Sequence, residues 1–216
     1  MDNNILVTYA SWTGSTADVA EAIGQGLRNG HTTVDVLPAR EMLDLSPYCA
    51  VVVGSAIRRG QVHPDAMVFL ELHQEALVKV PVAYFIVCLT MKDDSEESRR
   101  RVAAYVDRMR QRVPQVQPVD VGLFAGVLNY SKLSQLTALE MKRLNMPEGD
   151  FRDWQAIRDW AISLRLRCAG ATAIPSAQRL ASPEPRQKSW SEVMKVGVTA
   201  EPAAPPICAF DRHGSD

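Results

Sequence analysis

The chain contains 216 residues, of which 46% are hydrophobic, and its formal net charge at pH 7 is −1. This length predicts one sizeable folded domain with additional sequence beside it. The nearly balanced charge and the scattered Lys and Arg residues give no support for a nucleic-acid-binding protein. The cysteines form no C-x-x-C pair, so we expect neither a zinc site nor a redox dithiol, and a reducing cytoplasm is the expected location. These cysteines are Cys49, Cys88, Cys168 and Cys208.

No segment is predicted to cross a membrane. The sequence opens with Asp2 and an apolar segment rather than a basic region, so we expect no signal peptide. The longest apolar run, residues 82–91, is far shorter than the ~20 residues that a membrane-spanning helix needs.

Short apolar segments alternate with segments of helical periodicity along the chain. Strands are predicted at residues 5–9, 33–37, 50–53, 82–89 and 119–125. The intervening helices are predicted from inward-facing stripes, which are Val19, Ala20, Ile23 and Leu27 in the first helix, Val102, Ala103, Val106 and Met109 at 95–112, and Trp154, Ile157, Ala161 and Leu164 in the last. Another helix is predicted to run from Pro64 to about residue 77. Five strands with intervening helices predict an α/β fold, a doubly wound parallel sheet with helices on both faces.

Ligands of such sheets bind beyond the carboxyl ends of the strands, where the strand order reverses. The loops that we expect at those ends are residues 11–16, 55–63, 89–94 and 126–133.

The first of these loops carries four hydroxyl side chains in six positions and opens directly into a helix. Ser11, Thr13, Ser15 and Thr16 stand beside Gly14 and Trp12. The free N–H groups and the positive dipole end of a helix N-terminus bind an anion without a basic residue. We call residues 11–16 the hydroxyl-rich loop and predict that it binds a phosphate; the alternative is that Ser15 or Thr16 serves only as the helix N-cap.

The residues that the loop lacks restrict the type of phosphate. No Lys lies between Tyr9 and Arg28, so the loop is not a Walker A motif. It has only Gly14 where a dinucleotide fingerprint needs three glycines. The remaining prediction is a pocket for one terminal phosphate.

Four motifs in order resemble a known family. Y-A-S-W-T-G-S-T is similar to the phosphate loop of flavodoxins, and G-S-A-I-R-R-G, A-G-V-L-N-Y and F-R-D-W-Q-A-I-R-D-W-A resemble the flavodoxin-like, menaquinone-dependent protoporphyrinogen oxidase family. The resemblance covers about residues 4–167 and implies FMN as the cofactor, with its phosphate in the hydroxyl-rich loop and its ring between residues 55–60 and 89–92. The cofactor-binding residues that it implies are Ser11, Trp12, Thr13, Gly14, Ser15, Thr16, Ser55, Ala56, Ile57, Arg58, Gly60, Leu89, Thr90 and Met91.

Two features differ from electron-carrying flavodoxins, which are usually strongly acidic and stack aromatic residues on the flavin. This chain is nearly neutral, and the two loops predicted to flank the ring offer aliphatic residues such as Ile57 and Leu89. An aliphatic wall leaves a flavin face open to a substrate, whose carboxylates Arg58 and Arg59 could bind. The alternative is that these two arginines are solvated surface residues.

A further helix is predicted at residues 131–146, where a compact flavodoxin would need only a short loop. The oxidase family carries an insertion at this place. The inserted segment (residues 131–146) combines Leu133, Leu136, Leu139 and Leu144 with Lys132, Lys142 and Arg143. Two interpretations stay open, which are contact with a membrane surface or hydrophobic substrate and a lid packed on its own domain.

The remaining ionisable residues predict no metal site. The four histidines are isolated from carboxylate clusters, and His63 is expected to hydrogen-bond locally before Pro64. The acidic residues 93–97 are typical of a helix's first turn. From about residue 170 a Pro- and Ala-rich composition predicts a disordered tail, with an apolar island at 190–198, so the expected domains are 1–169 and 170–216.

The resemblance implies an FMN-dependent oxidoreductase that oxidises protoporphyrinogen or a related substrate and passes electrons to a quinone. We expect a cytoplasmic protein, which would be peripheral on the inner face of the membrane under the membrane-contact interpretation of residues 131–146. One alternative is a flavodoxin-type electron carrier that serves a redox partner protein and has no small-molecule substrate. Another is a flavin-free interaction module with the same fold.

Overall fold

A computed structural model of the protein describes residues 3–171. The strands are β1 (Asn3–Ala10), β2 (Thr32–Pro38), β3 (Ala50–Arg58), β4 (Gln61–Val62), β5 (Val82–Val87), β6 (Asp120–Phe124), β7 (Val127–Leu128) and β8 (Gly149–Asp150). The helices are α1 (Ser15–Leu27), α2 (Pro64–Leu77), α3 (Glu96–Arg112), α4 (Gln135–Arg143) and α5 (Trp154–Ala171). Short 3₁₀ helices cover Ala39–Glu41, Leu89–Asp93 and Tyr130–Lys132.

The five long strands form one parallel sheet in the order β2-β1-β3-β5-β6. This confirms the predicted α/β fold, a flavodoxin-like doubly wound sheet. The strand order reverses at β1, whose neighbours are β2 on one side and β3 on the other, so the loops after β1 and β3 diverge. Ala10 at the end of β1 pairs with Ser55, and Ala56 of β3 pairs with Val87 of β5, which places these strand ends side by side.

Helices cover both faces of the sheet, as the apolar stripes predict. One layer packs α1 and α5 on the sheet through residues such as Ile23 and Ile157, and the opposite layer packs α2 and α3 through residues such as Phe69 and Val106. All six residues of β5 are buried, as expected for a central parallel strand. Ala103 is exposed, so the predicted stripe of α3 consists of its other three members.

The chain after residue 53 differs from the prediction. Instead of a loop over 55–63, β3 continues to Arg58 and turns back into β4, with Ile57 opposite Val62. Arg59 and Gly60 form the turn, and both have positive φ, 51° and 75°, as a type I′ hairpin turn requires. A non-glycine residue at positive φ is uncommon, which is why the R-R-G sequence did not predict a hairpin. The strand predicted at 82–89 likewise ends early, at Val87.

The predicted insertion forms a 3₁₀ turn followed by α4. Within residues 3–171, no helix is long and apolar enough to cross a membrane. The Pro-rich tail predicted from residue 170 and its apolar island at 190–198 lie almost wholly outside the described residues, so that prediction stays a prediction.

Candidate functional site

The hydroxyl-rich loop leaves the N-terminus of α1 open. The N-cap of α1 is Gly14, with φ of 94°, and it has no side chain to accept the free N–H groups of the first turn. The Oγ of Ser11 accepts the N–H of Gly14 at 3.0 Å and so fixes the loop. Neither Ser15 nor Thr16 is the N-cap, so the alternative that either serves only as a cap is wrong. By contrast, the N-caps of α2, α3 and α4 accept first-turn N–H groups through the side chains of His63, Ser95 and Ser134.

A buried hydroxyl stands in the first turn of this helix. Thr16 is completely buried, and its Oγ1 has no hydrogen-bond partner within the part of the chain that the structure describes. Burying a hydroxyl without a partner is unfavourable by about 1–3 kcal/mol. This hydroxyl, together with the open N–H groups of α1, therefore suits an anionic ligand that accepts hydrogen bonds.

A cavity of about 80 Å³ lies beside the loop. Its size suits a phosphate group but is well below the roughly 300–1,000 Å³ of pockets that enclose whole cofactors, so a flavin ring would lie outside it. Its lining residues are Thr13, Ser15, Asp18, Val127, Asn129, Lys132, Leu133 and Arg152. Local sequence patterns do not relate Lys132 and Arg152 to the loop, because both lie more than a hundred residues from it.

Arg152 is locked in place beside the loop. Its side chain is 9% exposed, and it forms ion pairs with Asp18 at 2.8 Å and with Asp150 at 2.6 Å. Its guanidinium also lies over the Trp154 ring, 4.3 Å from the centroid. The hydrogen bonds from Arg152 lower the pKa of Asp150, and the same contacts raise the pKa of Arg152. Arg152 thus positions the start of α1 through Asp18 and through the carbonyl oxygen of Ser15.

The polar groups of the β3–β4 hairpin form hydrogen bonds within the protein. Ser55 is buried, donates its hydroxyl to the Ala56 carbonyl at 2.8 Å and accepts the His63 N–H at 3.0 Å. Ile57 packs against the core, and the Gly60 carbonyl accepts a hydrogen bond from Arg108 at 2.7 Å. The side chains of Ser55 and Ile57 therefore fix the hairpin, and their contacts to a cofactor stay a prediction.

Both predicted substrate-binding arginines contact the inserted segment. Arg58 donates to Oγ1 of Thr137 at 2.8 Å, and Arg59 pairs with Glu140 at 2.8 Å. A carboxylate ligand would have to compete with these partners. The inserted segment consequently lies against the hairpin, which supports its interpretation as a lid on its own domain. We refer to residues 131–146 as the lid from here on.

The lid carries three exposed leucines among its polar surface residues. Leu136 of α4 is 78% exposed, Leu139 is 57% exposed and Leu144 is 49% exposed. The lid thus presents leucines to the outside while its polar residue Thr137 is buried against the domain.

The loop after β5 leaves two of its three predicted cofactor-binding residues partly exposed at the carboxyl end of the strand. Leu89 and Thr90 are half-buried in the 3₁₀ turn Leu89–Asp93. Met91 is buried in the core, and its N–H donates to the Cys88 carbonyl at 3.3 Å. The Met91 side chain is therefore a packing residue, whereas Leu89 and Thr90 remain accessible.

Trp12 connects the hydroxyl-rich loop to the start of α2. Its ring lies 4.2 Å from that of His63 between centroids, and 37% of the residue is exposed. His63 accepts the Asp65 N–H on Nδ1 at 3.2 Å, which confirms its expected local hydrogen bond. Burial lowers the pKa of His63. Trp12 is thus an exposed aromatic surface at the sheet edge where the resemblance places the flavin.

The described residues hold no group of three or more His, Cys, Asp or Glu side chains able to bind a metal ion.

The carboxyl ends of the strands bring together the N-terminus of α1, the hydroxyls of residues 11–16, the cations Lys132 and Arg152, and the Trp12 ring. These groups can bind a phosphate monoester that carries a flat aromatic system.

Comparison with known proteins extends this picture. The Flavodoxin domain family matches residues 6–154 of the chain. No curated protein sequence matches it significantly. Among solved structures, the chain is similar to oxidised Flavodoxin 2 from Bacillus cereus, with 18% identity over 76% of this chain and 99% of that chain and a TM-score of 0.48. It is also similar to the flavodoxin, WrbA-like protein from Agrobacterium tumefaciens, with 12% identity over 79% of this chain and 99% of that chain and a TM-score of 0.47. A flavoprotein in complex with FMN from Lactobacillus acidophilus NCFM is similar with 14% identity over 57% of this chain and 93% of that chain and a TM-score of 0.42.

Proposed function

Since the chain belongs to the flavodoxin domain family, we propose that it is a flavoprotein that binds FMN non-covalently and takes part in redox chemistry through it. The observation that carries this proposal is the unpartnered, buried Thr16 hydroxyl in the first turn of α1, behind an N-cap that has no side chain to accept first-turn N–H groups. A phosphate monoester supplies the acceptors that these donors lack.

The chain's own residues bind and position this cofactor. The hydroxyls and N–H groups of residues 11–16 hold the phosphate, and the Ser11 contact with Gly14 keeps the loop in its binding conformation. The ring would rest near Ser55 of β3 and Val87 at the end of β5, with Trp12 nearby against His63. When bound, FMN supplies the exchange of electrons, while the protein supplies orientation and electrostatics.

One finer candidate is an oxidoreductase that oxidises a porphyrinogen-like substrate and passes the electrons to a quinone. The resemblance to the protoporphyrinogen oxidase family supports it. So does the lid, because its exposed leucines Leu136, Leu139 and Leu144 stand beside Lys142 and Arg143, a combination suited to an apolar ligand or an anionic membrane surface. This candidate places the protein in the cytoplasm, peripheral on the inner face of the membrane.

The second candidate is an electron carrier that serves a redox partner protein. It is favoured by the engagement of Arg58 with Thr137 and of Arg59 with Glu140, because both cations expected to hold a substrate carboxylate already have partners. Neither candidate changes the role of the hydroxyl-rich loop.

Two assays on the purified, FMN-loaded protein separate the candidates. The oxidoreductase predicts oxidation of protoporphyrinogen that depends on an added quinone in lipid vesicles. Under that candidate, Leu136→Ser with Leu139→Ser lowers the rate with membrane quinone, while Ile162→Ser on α5, also exposed at 48%, leaves it unchanged. Absence of turnover together with rapid reduction of a one-electron acceptor protein supports the carrier. A protein that stays colourless after incubation with FMN contradicts both and leaves the flavin-free interaction module.

A further inference from the structure

A cation from the inserted segment faces the hydroxyl-rich loop. The Nζ of Lys132 lies 3.4 Å from the carbonyl oxygen of Thr13, and both residues line the cavity at the N-terminus of α1. Among the described residues, the Lys132 ammonium forms no ion pair with a carboxylate. It is therefore available to an anion in that cavity.

The charges around the cavity favour such a cation. Arg152 carries one positive charge but is shared between Asp18 and Asp150, so this trio has a net charge of −1. A phosphate monoester brings about −1.5 to −2 more at pH 7. The end of a helix dipole offsets only about half a charge. Because Asp18 lines the same cavity, the Lys132 ammonium would offset part of the repulsion between that carboxylate and the phosphate.

We propose that Lys132 is the cationic ligand of the cofactor phosphate and that it thereby couples FMN binding to the position of the lid. This inference rests on the proposed function. The inserted segment is already held to the hairpin through Arg58–Thr137 and Arg59–Glu140. A phosphate shared between Lys132 and the hydroxyl-rich loop adds a tie at the other end of the segment. Bound FMN consequently holds the lid against the domain more firmly than riboflavin does.

The test compares FMN with riboflavin, which has the same ring and lacks the phosphate. Fluorescence titrations of the full chain are made with wild type, Lys132→Gln and the control Lys142→Gln. Lys142 belongs to the same segment and also carries an exposed ammonium, but it lies over the Tyr130 ring, away from the cavity. We expect Lys132→Gln to weaken FMN binding about tenfold and to leave riboflavin binding unchanged. Lys142→Gln should change neither affinity.

A second readout follows the lid itself. Hydrogen exchange of residues 131–146 should slow when FMN is added to wild type, and this protection should be smaller in Lys132→Gln at saturating FMN. Two results would overturn the inference: Lys132→Gln binds FMN as tightly as wild type, or it loses FMN and riboflavin equally, which would indicate a structural role only. A wild-type chain that binds neither flavin would instead overturn the proposed function on which the inference rests.

Discussion

Replacing Thr16 with valine should have opposite effects on the free protein and on cofactor binding. Thr16 is fully buried and its hydroxyl has no partner among the described residues, so its removal relieves a desolvation penalty of about 1–3 kcal/mol. The free protein should become more stable by up to that amount. Under the proposed function, the same hydroxyl would donate to the charged phosphate of bound FMN, a contact that would contribute about 1.5–3 kcal/mol. The variant should therefore bind FMN about 10- to 150-fold more weakly.

The assay pairs urea unfolding of the flavin-free protein with FMN titration by fluorescence. Thr8→Val is the matched control, because Thr8 is equally buried and its hydroxyl is also unpartnered, yet it lies within β1 rather than in the loop. It should gain stability and keep its FMN affinity. Unchanged FMN affinity in Thr16→Val, or an equal loss in Thr8→Val, would refute this role for Thr16.

Three further perturbations test other parts of the structure. In Gly54→Ala, the added Cβ would lie 1.9 Å from the Phe85 ring, so we expect a loss of at least about 1–3 kcal/mol in urea unfolding, and a variant as stable as wild type would disprove this packing. Arg59→Gln removes an exposed ion pair with Glu140 that contributes at most about 1 kcal/mol, so the global free energy of unfolding should barely change. Hydrogen exchange of α4 should nevertheless accelerate. Unchanged exchange would show that the pair does not hold the lid. Burial lowers the pKa of His73, so its contribution to stability is complete above about pH 6.5 and declines as the pH falls toward the lowered pKa. His73→Gln should make the fall in unfolding free energy between pH 7 and 5 shallower, and identical slopes would contradict this.

The elements with strong local patterns could be predicted from the sequence. The α1 stripe that includes Val19 and Ile23 is buried as expected, and α2 begins at Pro64. The position of the hydroxyl-rich loop between β1 and α1 is predictable for the same reason, since its four hydroxyls stand close together at the end of an apolar strand. Local pattern sufficed wherever a few neighbouring residues determine the structure.

The long-range features of the site could not be predicted in this way. Arg58 and Thr137 are 79 residues apart, and Lys132 and Thr13 are 119 apart, so no local spacing relates them. A sequence pattern also says nothing about which polar side chains will find partners, and it therefore could not show that Thr16 lacks one. The hairpin turn could not be predicted because Arg59 adopts a positive φ, which is uncommon for a non-glycine residue, and arginine is not a typical turn residue.

The proposed role of residues 11–16 is to bind the phosphate of an FMN cofactor. Its most direct test is titration of the flavin-free protein with FMN, followed by ultrafiltration and a visible spectrum of the retained protein. If the loop binds FMN, flavin fluorescence should be quenched to saturation at one FMN per chain, the retained protein should show a flavin absorbance band, and Thr16→Val should bind more weakly. A protein that quenches no fluorescence and passes all flavin through the filter would contradict it.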